Sequence, residues 1–240
     1  MNQVFVSLSS YVLGKAMGQV QAVAAMNREV ETQEGKLPLA GLETIKRIRD
    51  HVEVALLLDS GSSNIAKHRC RQFDAAHLSK CDAWITIDDD VELSPFTVRA
   101  LLEALEFADP VVVIVPCLIR NSFVVNVEFP KIYATTRLAS GALLRGAVRG
   151  GFGCVGMNRP ALDLIAMHSK RFTDDDAISK PAPFEHVFEQ PSGRWLGEDL
   201  SFFERLRQVP ELRSVLVVAL LTGETCHDGQ SIQLEVVADA

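Results

Sequence analysis

Asp88, Asp89 and Asp90 end the apolar segment of the stretch CDAWITIDDDVELSP, residues 81–95. Neighbouring carboxylates repel one another and resist leaving water, so a strand that delivers three of them to one point is suited to meeting a cation. At D-x-D spacing Asp88 and Asp90 can address one ion or one ligand together. Mg2+ and Mn2+ prefer such hard oxygen ligands and commonly share them with substrate phosphates. The bland alternative is a solvated turn leading to a helix capped by Ser94. A second acidic run at 174–176 follows no predicted strand and reads as loop or helix-capping carboxylates.

Three later segments carry further chemistry. In GGFGCVGMNRPAL, Gly150, Gly151 and Gly153 permit close backbone approach to a ligand. In WLGEDLSFF, Glu198 and Asp199 open a helical pattern, where a carboxylate can serve as a base or simply favour the first helical turn. His227 in CHDG is either a metal ligand or a surface histidine of a terminal turn. Trp195 offers a flat face to a sugar ring or anchors the helix that follows. Trp84 lies inside a predicted strand and reads as packing.

Apolar runs alternate with helical periodicity, the pattern of an α/β domain. Strands are predicted at 3–9, 52–59, 82–87 and 110–116, the last as a buried parallel strand, and near the end in SVLVVALLTG. Helices are predicted from Lys15 to about Val30, over 65–79, after Ser94 with Pro95 in the first turn, near Asn158 and Pro160, and after Gly197. The segment NSFVVNVEFPKIYATTR reads as a hairpin or as two extended pieces. Residues 171–193 have little apolar periodicity and many Pro, Asp and Ser, which predicts a loop acting as a lid. The organisation expected is one compact Rossmann-like domain of two fused halves, 1–116 and 117–240, which the resemblance described below would make the nucleotide-sugar-binding half and the acceptor-binding and catalytic half.

At 240 residues and 48% hydrophobic content the chain can bury a full core. The absence of an 18-residue apolar run and of a signal-like start predicts a cytoplasmic protein without membrane insertion. Five scattered cysteines, none spaced C-x-x-C, indicate neither a disulfide framework nor a thiolate zinc site. A net charge of −7 disfavours nonspecific attraction to nucleic acid, although KHRCR at 67–71 and RGAVRG at 145–150 offer local basic clusters.

The strand-end D-x-D, the glycine segment, GEDLSF and CHDG, in that order, resemble nucleotide-sugar-dependent glycosyltransferases of the GT-A fold, of the D-x-D-containing kind found in bacteria and phages. SSNIAKHRCRQFDAAHLSKCDAWITIDDDVELSP is similar to the helix and strand that lead into D-x-D in that group. The resemblance implies a GT-A fold and a Mn2+ or Mg2+ cofactor held by Asp90, His227 and Asp88. It also implies a nucleoside diphosphate sugar donor, UDP-linked, contacted by Ser9, Tyr11, Arg69, Asp88, Asp89, Gly151, Gly153 and Trp195. The proline frequent in the turn after the first strand of that group is absent here. Asp199 is implied as general base of an inverting transfer, with Glu198 beside it on the acceptor side. The acceptor is left open among glycan, protein, lipid, small molecule and a hydroxylated base in DNA. Two other classes stay open: a nucleotidyltransferase, for which SSYVLGKAMG is a poor phosphate loop, and a noncatalytic nucleotide-sugar-binding protein.

Overall fold

The computed structural model describes residues 1–10, 31–32, 35–36, 40–60, 64–119, 125–131, 134–173, 177–189, 193–227 and 229–234. The helix predicted from Lys15, Tyr11 and the acidic run at 174–176 lie outside the described residues.

The elements that build the frame are β1 (Gln3–Ser10), α1 (Ala40–Arg49), β2 (Glu53–Ser60), α2 (Ile65–Ser79), β3 (Ala83–Asp88), β4 (Val91–Leu93), α3 (Pro95–Leu105), β5 (Val111–Ile114), β6 (Thr135–Arg137), β7 (Leu143–Gly146), β8 (Cys154–Asn158), α4 (Arg159–His168), α5 (Glu198–Gln208), β9 (Leu216–Leu220), β10 (Gly223–His227) and β11 (Gln230–Leu234). Among the described residues, eight strands form one sheet in the order β2-β1-β3-β8-β5-β9-β7-β6. β1 runs parallel to β2 and β3, while β8 is antiparallel to both β3 and β5. β5, predicted as a parallel strand, is therefore parallel only to β9. β8 comes from the second half of the chain and sits between two strands of the first. The result is a mixed α/β sheet flanked by helices, as the alternating pattern predicts.

Strand periodicity sends neighbouring side chains to opposite faces. Val4, Val6, Leu8, Ile85 and Ile87 pack on one face with Ile45 and Ile48 of α1 and Leu101 of α3. Phe5 and Trp84 pack on the other with Phe73 of α2, Ile165 of α4 and Phe202 of α5. Trp84 is fully buried and its Nε1 donates to Ser7 Oγ at 2.8 Å, which leaves it a packing role.

Local chemistry fixes the helix starts. Asn64, Ser94 and Asn158 accept hydrogen bonds from Lys67 N, Thr97 N and Ala161 N, and Pro95 and Pro160 occupy the first turns of their helices. α5 starts at Gly197 without a side-chain cap and carries Glu198 and Asp199 in its first turn.

One region read ambiguously in sequence resolves here, and another differs from expectation. Of the two readings offered for the segment that ends at Arg137, its described residues take the second, two extended pieces: Val127 and Glu128 pair with Gly150 and Arg149, and β6 pairs with β7. Within 171–193, residues Arg171–Thr173 pair with Ser179–Pro181, and Phe188–Glu189 pair with Arg194–Trp195. Phe184, between those ladders, is fully buried and packs 4.9 Å from Phe152 and 5.0 Å from Phe202, centroid to centroid. One aromatic anchor and two short ladders give no periodicity, so the sequence pattern reads them as loop.

Candidate functional site

The carboxyl ends of parallel strands are where open α/β sheets bind ligands, and β3 ends there with Asp88. The turn beyond it is tied down through its backbone. Asp89 N donates to Ser9 O at 3.0 Å, Gly41 N donates to Asp89 O at 3.1 Å, and Asp88 N donates to Gly153 O at 2.9 Å. A Cβ on Gly41 would lie 2.4 Å from Leu8 Cδ1 and 3.0 Å from Asp88 O, so only glycine lets α1 approach the turn this closely.

β4 then pairs with β10 in the register that sets His227 opposite Val91, one residue past Asp90. That hairpin is anchored on α3: Thr97 Oγ1 donates to Glu224 O at 2.9 Å, and Gly223 takes φ +127 where a Cβ would meet Thr97 Oγ1 at 2.4 Å. Thr225 Oγ1 adds a hydrogen bond of 3.0 Å to Pro116 O. His227 Nε2 consequently stands 3.3 Å from Asp90 Oδ2. Its other nitrogen, Nδ1, is 2.7 Å from Leu118 O, an atom that can only accept. Nδ1 therefore donates to Leu118 O, which turns Nε2 toward the Asp90 carboxylate. A nitrogen and a carboxylate oxygen set face to face in this way can share one cation.

Asp88 is engaged differently from Asp90. Arg69, on the inner face of α2 and 2% exposed, donates through Nη2 to Asp88 Oδ1 at 3.0 Å and Oδ2 at 3.4 Å. Burial pushes the Asp88 carboxyl up from its ordinary value, with Arg69 opposing the shift. Asp199 lies on the other side of Arg69. Its Oδ2 accepts from Phe152 N at 3.1 Å and its Oδ1 is 3.9 Å from Arg69 Nε. Burial raises Asp199 to about 7; Arg69 and the Phe152 N–H work against the rise, and Glu198 and Asp88 add to it.

The remaining predicted residues fall around this centre. Gly153 borders Asp88 through its carbonyl oxygen. Gly151 N donates to Asn126 O at 2.8 Å, and a Cβ there would meet Asn126 Nδ2 at 2.5 Å, so this glycine admits Asn126 rather than leaving open space. The Ser9 hydroxyl faces α2, 3.0 Å from Gln72 Nε2, which also lies 3.0 Å from His68 Nε2. Burial, followed by Arg69 and Arg71, lowers His68 to about 4. Trp195 is 71% exposed, its ring 5.2 Å from that of Phe188. It is not the buried anchor that the alternative reading offered.

The basic clusters are not free patches. His68 and Arg69 of KHRCR are buried, Arg145 stacks 4.3 Å over the Phe129 ring, and Arg149 pairs with Glu128 at 2.5 Å. The site residues that sequence reasoning missed are Phe152 N, Leu118 O, Thr86, Gln72 and Asn126. Two of these act through the backbone and leave no trace in residue type.

Among the described residues no group of three or more His, Cys, Asp and Glu side chains is placed to hold a metal. Asp90 and His227 form a two-ligand set, and a histidine whose second nitrogen donates to a backbone carbonyl is the usual orientation of a metal ligand. They fit an ion whose shell is completed by donor phosphates and water. Among the described residues no helix is long and apolar enough to cross a membrane.

No family model matches the chain. No curated protein matches it in sequence. Among solved structures, A197 from STIV matches with a TM-score of 0.50 and 13% identity over 100% of this chain and 97% of that one, a likeness of fold. A protein described as a glucose-1-phosphate thymidylyltransferase from Bacillus anthracis, in complex with a sucrose, gives a TM-score of 0.43 and 10% identity over 95% and 90% of the two chains. A mannose-1-phosphate geranyltransferase from Thermus thermophilus gives 0.41 and 12% over 91% and 74%.

Proposed function

We propose that this chain transfers a sugar from a nucleoside diphosphate sugar, UDP-linked, to an acceptor hydroxyl. The observation that supports it is the convergence at one strand end of an Asp90–His227 pair suited to a divalent ion and a second carboxylate, Asp199, held by Phe152 N and Arg69. Asp90 and His227 would hold Mn2+ or Mg2+, which when bound supplies positive charge against the negative charge growing on the departing diphosphate. Gly153, whose carbonyl oxygen accepts from Asp88 N at 2.9 Å, places the glycine segment beside the turn where the donor would lie. Asp199 takes the proton of the acceptor hydroxyl as its oxygen bonds to the anomeric carbon and the carbon–phosphate oxygen bond breaks. That oxygen leaves with the electron pair on the nucleoside diphosphate. A base opposite the leaving group implies inversion. Glu198, about 100° around the helix from Asp199, would turn toward the other hydroxyls of the donor sugar or the acceptor.

Trp195 and Phe188 stand exposed on the ladder just before α5, where they can stack on the C–H face of a sugar. The engaged state of Arg145, Arg149 and Arg69 gives a DNA acceptor no added support. The test is a panel of nucleoside diphosphate sugars with Mn2+, read by nucleoside diphosphate release. Parallel reactions of nucleoside triphosphates with sugar 1-phosphates are read by pyrophosphate. Diphosphate release from one donor supports the proposal. Pyrophosphate in the second arm alone assigns nucleotidyl transfer instead, and silence in both arms with retained UDP binding leaves a noncatalytic binding protein.

A further inference from the structure

Arg69 is the cation most deeply placed in the site. Its side chain is 2% exposed and its guanidinium carbon lies 5.4 Å from the centroid of the Phe152 ring. Nη1 donates to Thr86 Oγ1 at 3.2 Å and Nη2 to both oxygens of Asp88. Nε remains, 3.9 Å from Asp199 Oδ1. Both of those atoms are buried, and neither has a hydrogen-bond partner among the described residues. Such orphaned groups are costly to bury, so each depends on the other's charge. Phe152, whose ring Arg69 covers, fixes Asp199 Oδ2 through its backbone N. Arg69 thus faces, through separate nitrogens, the first carboxylate of the D-x-D turn and the carboxylate on α5.

A guanidinium suits this task where an ammonium does not: it is planar, always charged, and presents its donors as a rigid fork. Burial by itself would lower its pKa, and Asp88 and Asp199 outweigh that, with Glu198 adding to the effect, so it is raised. Asp88, Asp199 and Glu198 converge on one region, and Arg69 supplies the positive charge among them.

We propose that Arg69 is a positioning residue that binds Asp88 and Asp199 into one charge unit, holding the base carboxylate at a fixed place beside the D-x-D turn, and is not a ligand of the donor. The catalytic half of this inference rests on the transferase reading above; the structural half does not.

The first test is a stability cycle that needs neither donor nor acceptor. At pH 8, above the value of about 7 to which burial raises Asp199, Arg69→Met leaves two buried carboxylates without their cation and lowers Tm by roughly 6–20 °C in a chain of this size. Adding Asp88→Asn recovers part of that fall, and adding Asp199→Asn recovers more, because each removes a charge that Arg69 had compensated. Recovery from Asp88→Asn with none from Asp199→Asn overturns the bridge. Should Arg69→Met fail to fold, the same cycle is run on Arg69→Gln.

The second test uses Arg69→Lys, which keeps the charge and loses the fork. UDP binding in Mn2+, measured by calorimetry, stays within about threefold of wild type, while turnover falls by tenfold or more. Weakening of UDP by tenfold or more makes Arg69 a donor ligand and overturns the inference. If wild type itself binds no UDP, the transferase reading fails while the stability cycle still decides the bridge.

Discussion

His227 and Asp90 face each other at 3.3 Å, with the histidine held in that orientation by Leu118 O on its opposite nitrogen. The pairing register of β10 on β4 makes this contact, so neither residue alone defines it. A divalent ion held there requires both. Asp90→Ala and His227→Ala should each weaken Mn2+ binding in the presence of UDP by tenfold or more, measured by electron paramagnetic resonance. Asp90→Ala also removes mutual repulsion in the Asp88 to Asp90 run, so its Tm should match or exceed wild type. Mn2+ affinity unchanged in both folded variants would move the ion elsewhere.

Asp199 and Glu198 are neighbours on α5 with different surroundings. Asp199 is fixed by Phe152 N and Arg69, whereas Glu198 is half-buried in the first turn. Asp199→Asn preserves shape and removes the base, so transfer should fall by roughly 100-fold to 10,000-fold with donor affinity kept. Glu198→Gln should act mainly on substrate KM. A larger turnover loss in the Gln variant would reassign the base, and a product that keeps the donor's anomeric configuration would rule out single displacement.

Trp195 is exposed enough to be removed without cost to the core. Trp195→Ala should leave stability within about 0.5 kcal/mol of wild type and weaken substrate by fivefold or more, seen as a rise in KM at constant turnover. A fall in Tm of several degrees with unchanged KM would make it a packing residue of the Phe188 ladder.

Elements whose signal is local were legible in the sequence. α2 falls on the predicted 65–79, Ser94 caps the helix expected of it, and α4 opens near Asn158 and Pro160 as expected, because capping and apolar spacing are written within a few residues. α1 carries the same signal in Leu42, Ile45 and Ile48 and was not among the predicted helices. The antiparallel insertion of β8 between β3 and β5 was not legible, since a buried strand reads alike in either direction. At the site, the sequence order placed Asp88, Asp90, Asp199 and His227 in one set. It could not show that Arg69 would take Asp88 while His227 took Asp90, a division made by strand register and helix face.

Gly151 was expected at the donor, and its geometry gives it a second duty. The Cβ of Gly151→Ala would lie 2.5 Å from Asn126 Nδ2, and Asn126 in turn accepts from Cys117 N at 2.9 Å through Oδ1. The substitution should cost about 1–3 kcal/mol through this overpacking, read as a lowered denaturation midpoint. Combining it with Asn126→Ala should recover stability relative to Gly151→Ala alone. If stability is unaffected and only donor affinity changes, the glycine serves the ligand and not Asn126.

The raised carboxyl of Asp199 sets opposite pH trends for activity and stability. Burial holds it at about 7 in the folded chain against an ordinary 3.8. A base works only when deprotonated, so turnover should climb as pH rises through about 7 and level off above it. For folding, the folded chain binds a proton that the unfolded chain has released anywhere between those two values. The resulting stability is fully present below about 4 and is lost as pH rises through about 7. Asp199→Asn lacks this titration. The Tm of the Asn variant minus that of wild type should therefore grow from pH 5 to pH 8. A difference that stays constant over that range would mean Asp199 is already ionised in the folded chain at pH 5, and the activity profile should then be flat across neutrality as well.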